Sequence, residues 1–266
     1  MFPTMRDVAI RHLIVLSTIP FKSTSTTLRG PMSNTPLIGI TGKRRTGADL
    51  KGSLKVMSDL SLDVYWVDYS QGILAAGGLP VFLPLGVDPS LYVERLDGLL
   101  MSGGADIQPE LYGSEPAPET YKPEPIRDEF ETALLDAVID LELPVAGICR
   151  GLQMINVYSG GNLIQDVPRH AVRDKPPATE VHTVKIMEGS LLEKLYGPSR
   201  EVNSLHHQSI GDIGENLVIT ARSEDGGVEG IEHQSLPIVA VQWHPEMMTS
   251  RDTDPLFNWL VTEAKK

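Results

Sequence analysis

Cysteine is nearly absent from this 266-residue chain, which has one, Cys149. That excludes an intrachain disulfide and any cysteine-rich metal site. A lone free thiol suits a reducing compartment, so a cytoplasmic location is expected. Positive charge is also scarce: 23 Lys and Arg stand against 35 Asp and Glu, for a formal net charge of -12. Such a surface repels nucleic-acid phosphate and anionic lipid, so neither is expected as a partner. No apolar run approaches the ~20 residues that a membrane span needs. The longest candidate, His12 to Pro20, is short and broken by Ser17 and Thr18.

What remains is a chain with 41% hydrophobic residues, enough for one substantial α/β core. Residues 1–33 differ from the rest, with one acidic residue (Asp7), four basic ones and a Ser/Thr-rich stretch from Ser23 to Thr27. They read as an extension outside the fold, of the composition seen in transit peptides or unstructured leaders, and Met32 offers an alternative start. Residues 34–266 read as one domain.

From Pro36 onward, short apolar runs alternate with amphipathic stretches. Strands are expected at Leu37 to Thr41, Pro80 to Leu85, Asp97 to Met101 and Pro144 to Ile148, with a basic loop at Lys43 to Arg45. Helices are expected from Asp63 to Ala76, from Arg127 to Leu141 (Phe130, Leu134, Leu135 and Val138 at three/four spacing) and from Gly151 to Tyr158. Strands separated by helices imply parallel β-α-β units, an open and mostly parallel sheet with helices on both faces. In that architecture ligands bind at the carboxyl ends of strands. Beyond Gly161, strand-like pieces at Val181–Ile186, Leu217–Ala221, Val228–Glu232 and Ile238–Gln242 suggest a smaller antiparallel section, closed by a helix from Pro255 to Ala264.

Four stretches carry chemistry. Gly147-Ile148-Cys149-Arg150-Gly151 joins a strand to a helix, as a nucleophile elbow does. Its glycines are needed because a Cβ at either flank would strike neighbouring elements. The helix N-terminus behind Cys149 favours a thiolate. The Arg150 backbone N–H is placed to donate to an oxyanion. In the second stretch, a buried strand ends at His244-Pro245-Glu246. A thiol nucleophile needs a base that returns the proton to the leaving amine, and that base needs a carboxylate to hold its tautomer. The third is Ser102-Gly103-Gly104-Ala105-Asp106, where glycines after a strand let backbone N–H groups approach a ligand. In the fourth, Asn203 to Gln208, the adjacent His206 and His207 invite a metal reading. On a strand they would face opposite ways, and no Cys or spaced His completes a zinc set, so polar substrate contacts are expected and no metal.

Taken together, these stretches resemble the class I glutamine amidotransferase-like superfamily, and within it the γ-glutamyl-γ-aminobutyrate hydrolase family. The likeness runs from about Pro36 to Glu246. It includes Gly103-Gly104-x-Asp106, Arg127-Asp128-x-Phe130-Glu131, Gly147-Ile148-Cys149-Arg150-Gly151-x-Gln153, Asn203-Ser204-x-His206-His207-Gln208, Asp225-Gly226 and Gln242-Trp243-His244-Pro245-Glu246. The resemblance implies that Cys149 attacks a γ-amide carbonyl to give a γ-glutamyl thioester. His244 would protonate the leaving amine and then activate water, with Glu246 orienting it. Backbone N–H groups of Gly104 and Arg150 would hold the oxyanion. Gln153 would contact the amino-acid end of the glutamyl group, with Ser204 and His207 in the loop lining the same pocket. Arg127 and Asp128 mark this branch without an assigned role. No cofactor is implied.

The expected substrate is a small γ-glutamyl amide, in polyamine or γ-aminobutyrate breakdown, and a homo-oligomer is compatible with the sequence. Two other readings stay open: a glutaminase that feeds ammonia to a separate synthetase, and a catalytically inactive binding module. The amine half is expected to be read by loops at Lys43 to Leu60 and Arg169 to Thr179.

Overall fold

In the computed structural model, which describes residues 35–266, a nine-stranded sheet organises the chain. Its first half is parallel, in the order β4 (Leu79–Leu83), β1 (Leu37–Thr41), β5 (Gly98–Met101), β6 (Val145–Ile148), β13 (Ile238–Val241). Beyond β13 the pairing becomes antiparallel through β12 (Val228–His233), β11 (Leu217–Ser223), β8 (His182–Ile186) and β9 (Ser199–Val202). β13 is therefore the pivot, parallel to β6 on one side and antiparallel to β12 on the other. The expected extension at residues 1–33 lies outside the described residues.

The strand alternation of side chains explains why helices cover both faces. Leu99, Met101 and Val145 face one core, shared with Phe130, Leu134, Leu135 and Val138 of α3 (Pro125–Asp140) and Leu152 and Ile155 of α4 (Arg150–Tyr158). Ile38, Ile40, Leu100, Ala146 and Ile148 face the other, packed on Tyr69 and Ile73 of α1 (Val67–Ala75) and on Phe257 and Leu260 of α6 (Pro255–Glu263). The shorter helices α2 (Ser90–Val93) and α5 (Leu191–Tyr196) fill connections.

Two sequence expectations need correction. Lys43 to Arg45 is a strand rather than a loop: β2 (Lys43–Thr46) pairs antiparallel with β3 (Ser61–Val64). The helix expected from Asp63 begins only at Val67, because Asp63 is held in the hairpin by Arg44 Nε at 2.5 Å and by the Leu85 backbone N–H at 3.0 Å. The pair β7 (Leu163–Ile164) and β10 (Ser209–Ile210) forms a small antiparallel ladder beside the main sheet.

Candidate active site

Cys149 sits between the end of β6 and the first turn of α4, at φ 54° and ψ -103°. A non-glycine residue in that region is strained by about 1–3 kcal/mol and persists only where its surroundings over-determine it. The flanking glycines supply that constraint. A Cβ on Gly147 would stand 2.8 Å from Ala240 Cβ and Ile155 Cδ1, and one on Gly151 would stand 2.3 Å from the Met101 carbonyl oxygen. The elbow can form only because both positions are bare. The Cys149 N–H donates to the Val241 carbonyl at 2.8 Å, which ties the turn to β13.

β13 also delivers His244. The imidazole Nδ1 meets Glu246 Oε1 at 2.6 Å, and the Glu246 carboxylate is wholly buried. Asn203 fixes the His244 backbone from both sides, accepting its N–H at 2.8 Å and donating to its carbonyl at 3.0 Å. Burial by itself pushes the His244 imidazole down. The Glu246 carboxylate and the Cys149 sulfur more than offset it, so the net value lies well above the ordinary 6.5. The imidazolium is the form that can protonate a leaving amine.

Gly103 marks where these groups converge. A Cβ there would lie 2.9 Å from His244 Cε1, 3.0 Å from the Tyr69 hydroxyl and 3.7 Å from Cys149 Cβ. The Gly103 N–H donates to that hydroxyl at 2.9 Å, so it is not free to meet a substrate. Burial, and then the neighbouring Glu246 charge, hold the Tyr69 phenol well above its ordinary 10. The sequence gives little sign of Tyr69, since it stands alone on α1, outside every motif.

The next peptide is set differently. Arg127 donates from Nη1 to the Gly103 carbonyl at 3.1 Å and from Nη2 to the Ser102 carbonyl at 2.8 Å. In a trans peptide the carbonyl and the following N–H point opposite ways. Arg127 therefore turns the Gly104 N–H away from itself. Gly104 is exposed, and its N–H has no partner among the described residues. The Arg150 N–H, at the first position of α4, is likewise outside the helical ladder. The two donors expected for an oxyanion thus lie in the loop after β5 and at the start of α4.

Behind that loop, four charged residues close on one another. Arg127 Nε donates to Glu131 Oε1 at 2.8 Å, Arg150 bonds both Glu131 and Asp128, and Asp128 also accepts the Gln108 N–H at 3.0 Å. All four are buried to 1% exposure or less. Desolvation would raise the Glu131 carboxyl, but the two guanidinium groups outweigh it and hold it below its ordinary value. Arg127 and Asp128 therefore brace the loop through a buried network, in which only Arg150 Nε lacks a partner among the described residues, rather than face open space.

The substrate-contact candidates are placed less uniformly. Gln153, one turn into α4, is buried and donates to the Gln208 carbonyl at 3.2 Å and to Gln242 Oε1 at 3.3 Å. Ser204 is buried with its hydroxyl donating to the His170 carbonyl at 2.6 Å. His207 lies between carboxylates, Asp106 at 2.9 Å and Asp166 at 3.3 Å, with the Tyr121 ring stacked on it at 4.1 Å. One residue beyond Gly104, at Ala105, opens a cavity of about 500 Å³ walled by Arg44, Arg45, Tyr121, Lys122 and Glu124. The β2 end of the first expected amine-side loop lines it, and residues 169–179 do not.

The peptidase C26 family model matches residues 36–246. The chain belongs to the peptidase C26 family. This glutamine amidotransferase-like family membership fits the elbow, the His–Glu pair and the sheet that carries them. The γ-glutamyl-γ-aminobutyrate hydrolase of Escherichia coli O157:H7 is 36% identical over 200 residues, covering 68% of this chain and 78% of that protein. Protein NtpR of Enterococcus hirae is 36% identical over 208 residues, covering 73% of this chain and 87% of NtpR. Among solved structures, a GMP synthase-like protein from Thermoplasma acidophilum matches with a TM-score of 0.60 at 20% identity. That match covers 86% of this chain and 94% of the other, and it establishes a shared fold. This C26 member is thus a hydrolase or amidotransferase-like enzyme by family. Among the described residues, no helix is long and apolar enough to cross a membrane.

Proposed function

We propose that this protein hydrolyses γ-glutamyl amides through a Cys149–His244–Glu246 triad. The observation that carries the reading is the 2.6 Å contact between His244 Nδ1 and Glu246, beside a cysteine held at positive φ ahead of a helix N-terminus. The Cys149 sulfur attacks the γ-carbonyl, and the oxyanion falls to the Gly104 and Arg150 N–H groups. The C–N bond then breaks, and the amine leaves with the proton from His244 Nε2. Water, deprotonated by the now neutral imidazole, attacks the thioester; glutamate departs and the thiol is restored.

The cavity beside Gly104 supports an amine that carries a carboxylate of its own. Arg44 and Arg45 line it already paired with Asp63 and Glu124, and Lys122, also on the wall, is the cation available to meet the carboxylate of that amine. Gln153 and His207 stand in this reading as acyl-side contacts. A kcat/KM panel on the protein alone tests it, comparing γ-glutamyl-γ-aminobutyrate, γ-glutamyl-butylamine and L-glutamine. The carboxylated amide should lead. Glutamine turnover that appears only when a synthetase is added would overturn the reading in favour of an ammonia-supplying glutaminase. No turnover of any of the three, and no labelling of Cys149 by an electrophilic glutamine analogue, would indicate a binding module.

A further inference from the structure

Within the antiparallel half of the sheet, four side chains from four separate segments converge at one carboxylate oxygen. His170 Nδ1, His182 Nε2 and His206 Nε2 lie 3.5, 3.4 and 3.5 Å from Glu229 Oε1. Glu229 is 0% exposed, His170 6% and His206 4%. Among the described residues, none of these three ring nitrogens and neither Glu229 oxygen has a partner within hydrogen-bond geometry. A buried polar atom left in that state costs about 1–3 kcal/mol, and five gathered at one point call for a common partner.

The distances suit one kind of partner. A charge-assisted N–H···O bond closes to about 2.7–2.9 Å, and these contacts stay well outside it. Ligand atoms about 2.1 Å from a tetrahedral zinc ion are separated by edges of about 3.4 Å. The ligand atoms of His170, His182 and Glu229 all lie within 4.8 Å of one another, close enough to share one ion.

The far sides of the rings point the same way. His206 Nδ1 lies 2.9 Å from the Gln208 carbonyl, which can only accept, so Nδ1 carries the hydrogen and a neutral ring turns a lone pair toward Glu229. His170 Nε2 lies 3.0 Å from Asp225 Oδ2, the carboxylate–histidine arrangement that orients metal ligands. A lone pair aimed from a neutral His206 at a buried carboxylate repels it unless a cation stands between them.

We propose that His170 Nδ1, His182 Nε2 and Glu229 Oε1 form a binding site for one divalent transition-metal ion of the zinc type, with His206 Nε2 beside it. Two imidazoles and one carboxylate, with a fourth position left for water, form a donor set that suits zinc and disfavours magnesium or calcium, which prefer oxygen. The three ligands come from the loop before β8, from β8 and from β12. His182 is the least buried member and gives an entry path. The site is structural. It pins His170, whose carbonyl accepts from the Ser204 hydroxyl, and so steadies the neighbouring Asn203, which holds the His244 backbone. The proposal does not depend on the identity of the substrate.

Zinc sulfate is the probe, applied to the untagged full-length chain after chelation and desalting. Equilibrium dialysis with elemental analysis should give one zinc per chain, bound more tightly than about 10 μM. Affinity should fall at least about 100-fold in His182→Ala and Glu229→Gln, and about 10-fold in Asp225→Ala. Cobalt(II) should give the intense visible bands of a tetrahedral site in the parent protein and lose them in His182→Ala. Zinc should also raise the melting temperature of the parent and leave that of His182→Ala unmoved. Should Glu229→Gln fail to fold, His182→Ala, on the rim of the cluster, carries the test. Weaker binding than stated, or binding that these substitutions leave intact, overturns the site.

Discussion

Two buried polar assemblies lie in the two halves of the sheet, and they differ in how their valences are met. In the parallel half, Arg127, Asp128, Glu131 and Arg150 form two cations and two anions that satisfy one another and the backbone of the oxyanion loop. In the antiparallel half, Glu229 faces three histidine nitrogens, and each of these inward-facing atoms lacks a hydrogen-bond partner among the described residues. The first assembly is nearly closed: its charges balance, only Arg150 Nε lacks a partner among the described residues, and its work is to hold Gly104 in place. The second is open, and it is completed by an ion. Burial alone therefore does not distinguish a brace from a binding site. The accounting of donors and acceptors does.

The largest expected effect tests what the first assembly serves. Cys149→Ala should lower kcat/KM by a factor on the order of 10⁴ to 10⁶, the scale seen when a covalent nucleophile is lost, while the melting curve stays cooperative. Substantial residual turnover would remove Cys149 from the mechanism and leave the brace without a catalytic purpose. Next comes Glu246→Gln, for which a fall in kcat of about 10³ to 10⁴ is expected, because the imidazole loses the group that sets its tautomer. This variant also has a pH signature. The folded-state value of His244 lies above the ordinary 6.5, so its ion pair contributes stability that is fully present below about pH 6.5 and is lost as pH rises through the folded value. Urea titrations should show the parent and Glu246→Gln furthest apart near pH 6 and converging at alkaline pH. A gap that widens with rising pH would contradict the assignment.

A third comparison sets one assembly directly against the other. Arg127→Ala leaves the Glu131 carboxylate with one cation instead of two in a dry site, and should cost about 3–5 kcal/mol in chemical denaturation. In chelated protein, His182→Ala should cost much less, about 1 kcal/mol or below, since it removes one member of a mutually unsatisfied group. With zinc added, the His182 penalty should grow by linkage while the Arg127 penalty stays fixed. Equal costs for the two substitutions in chelated protein would show that the His–Glu cluster is as complete as the Arg–carboxylate network, and the contrast would collapse.

How far each assembly was legible in the sequence follows from how its parts are spaced along the chain. The elbow could be read because the flanking glycines and the cysteine are chain neighbours. The His244–Glu246 pair is two residues apart at the end of an apolar run, where covalent geometry alone brings the groups close. The alternation of strands and helices gave the parallel half for the same local reason. Arg127 and Asp128 stood out only through resemblance; their spacing on α3 looks like a solvated face, and only the tertiary fold shows Arg150 closing over them. The His–Glu cluster was illegible. Its members lie at 170, 182, 206 and 229: sheet register brings His182 and Glu229 together, β8 pairing with β11 and β11 with β12 across an irregular stretch near Ala221, and an isolated bridge between Ala171 and Leu205 sets His170 beside His206. His206 and His207 do diverge as expected, yet in a loop rather than on a strand, and His206 turns to partners that no local spacing could reveal.

The smallest expected effect lies within the elbow itself, and it separates strain from chemistry. Cys149 holds φ 54°, a region that glycine enters at little cost and alanine does not. Cys149→Gly should therefore be as inactive as Cys149→Ala, yet more stable than it by about 1 kcal/mol, the two differing only in a Cβ that the backbone conformation penalises. Denaturant midpoints with matched slopes would measure the difference. The opposite order, with glycine the less stable, would mean that the turn is not strained and that its conformation is the relaxed choice of the chain. The network behind Gly104 would then hold a loop in place without also holding the nucleophile against a cost, and its part in the contrast would shrink to orienting one peptide N–H.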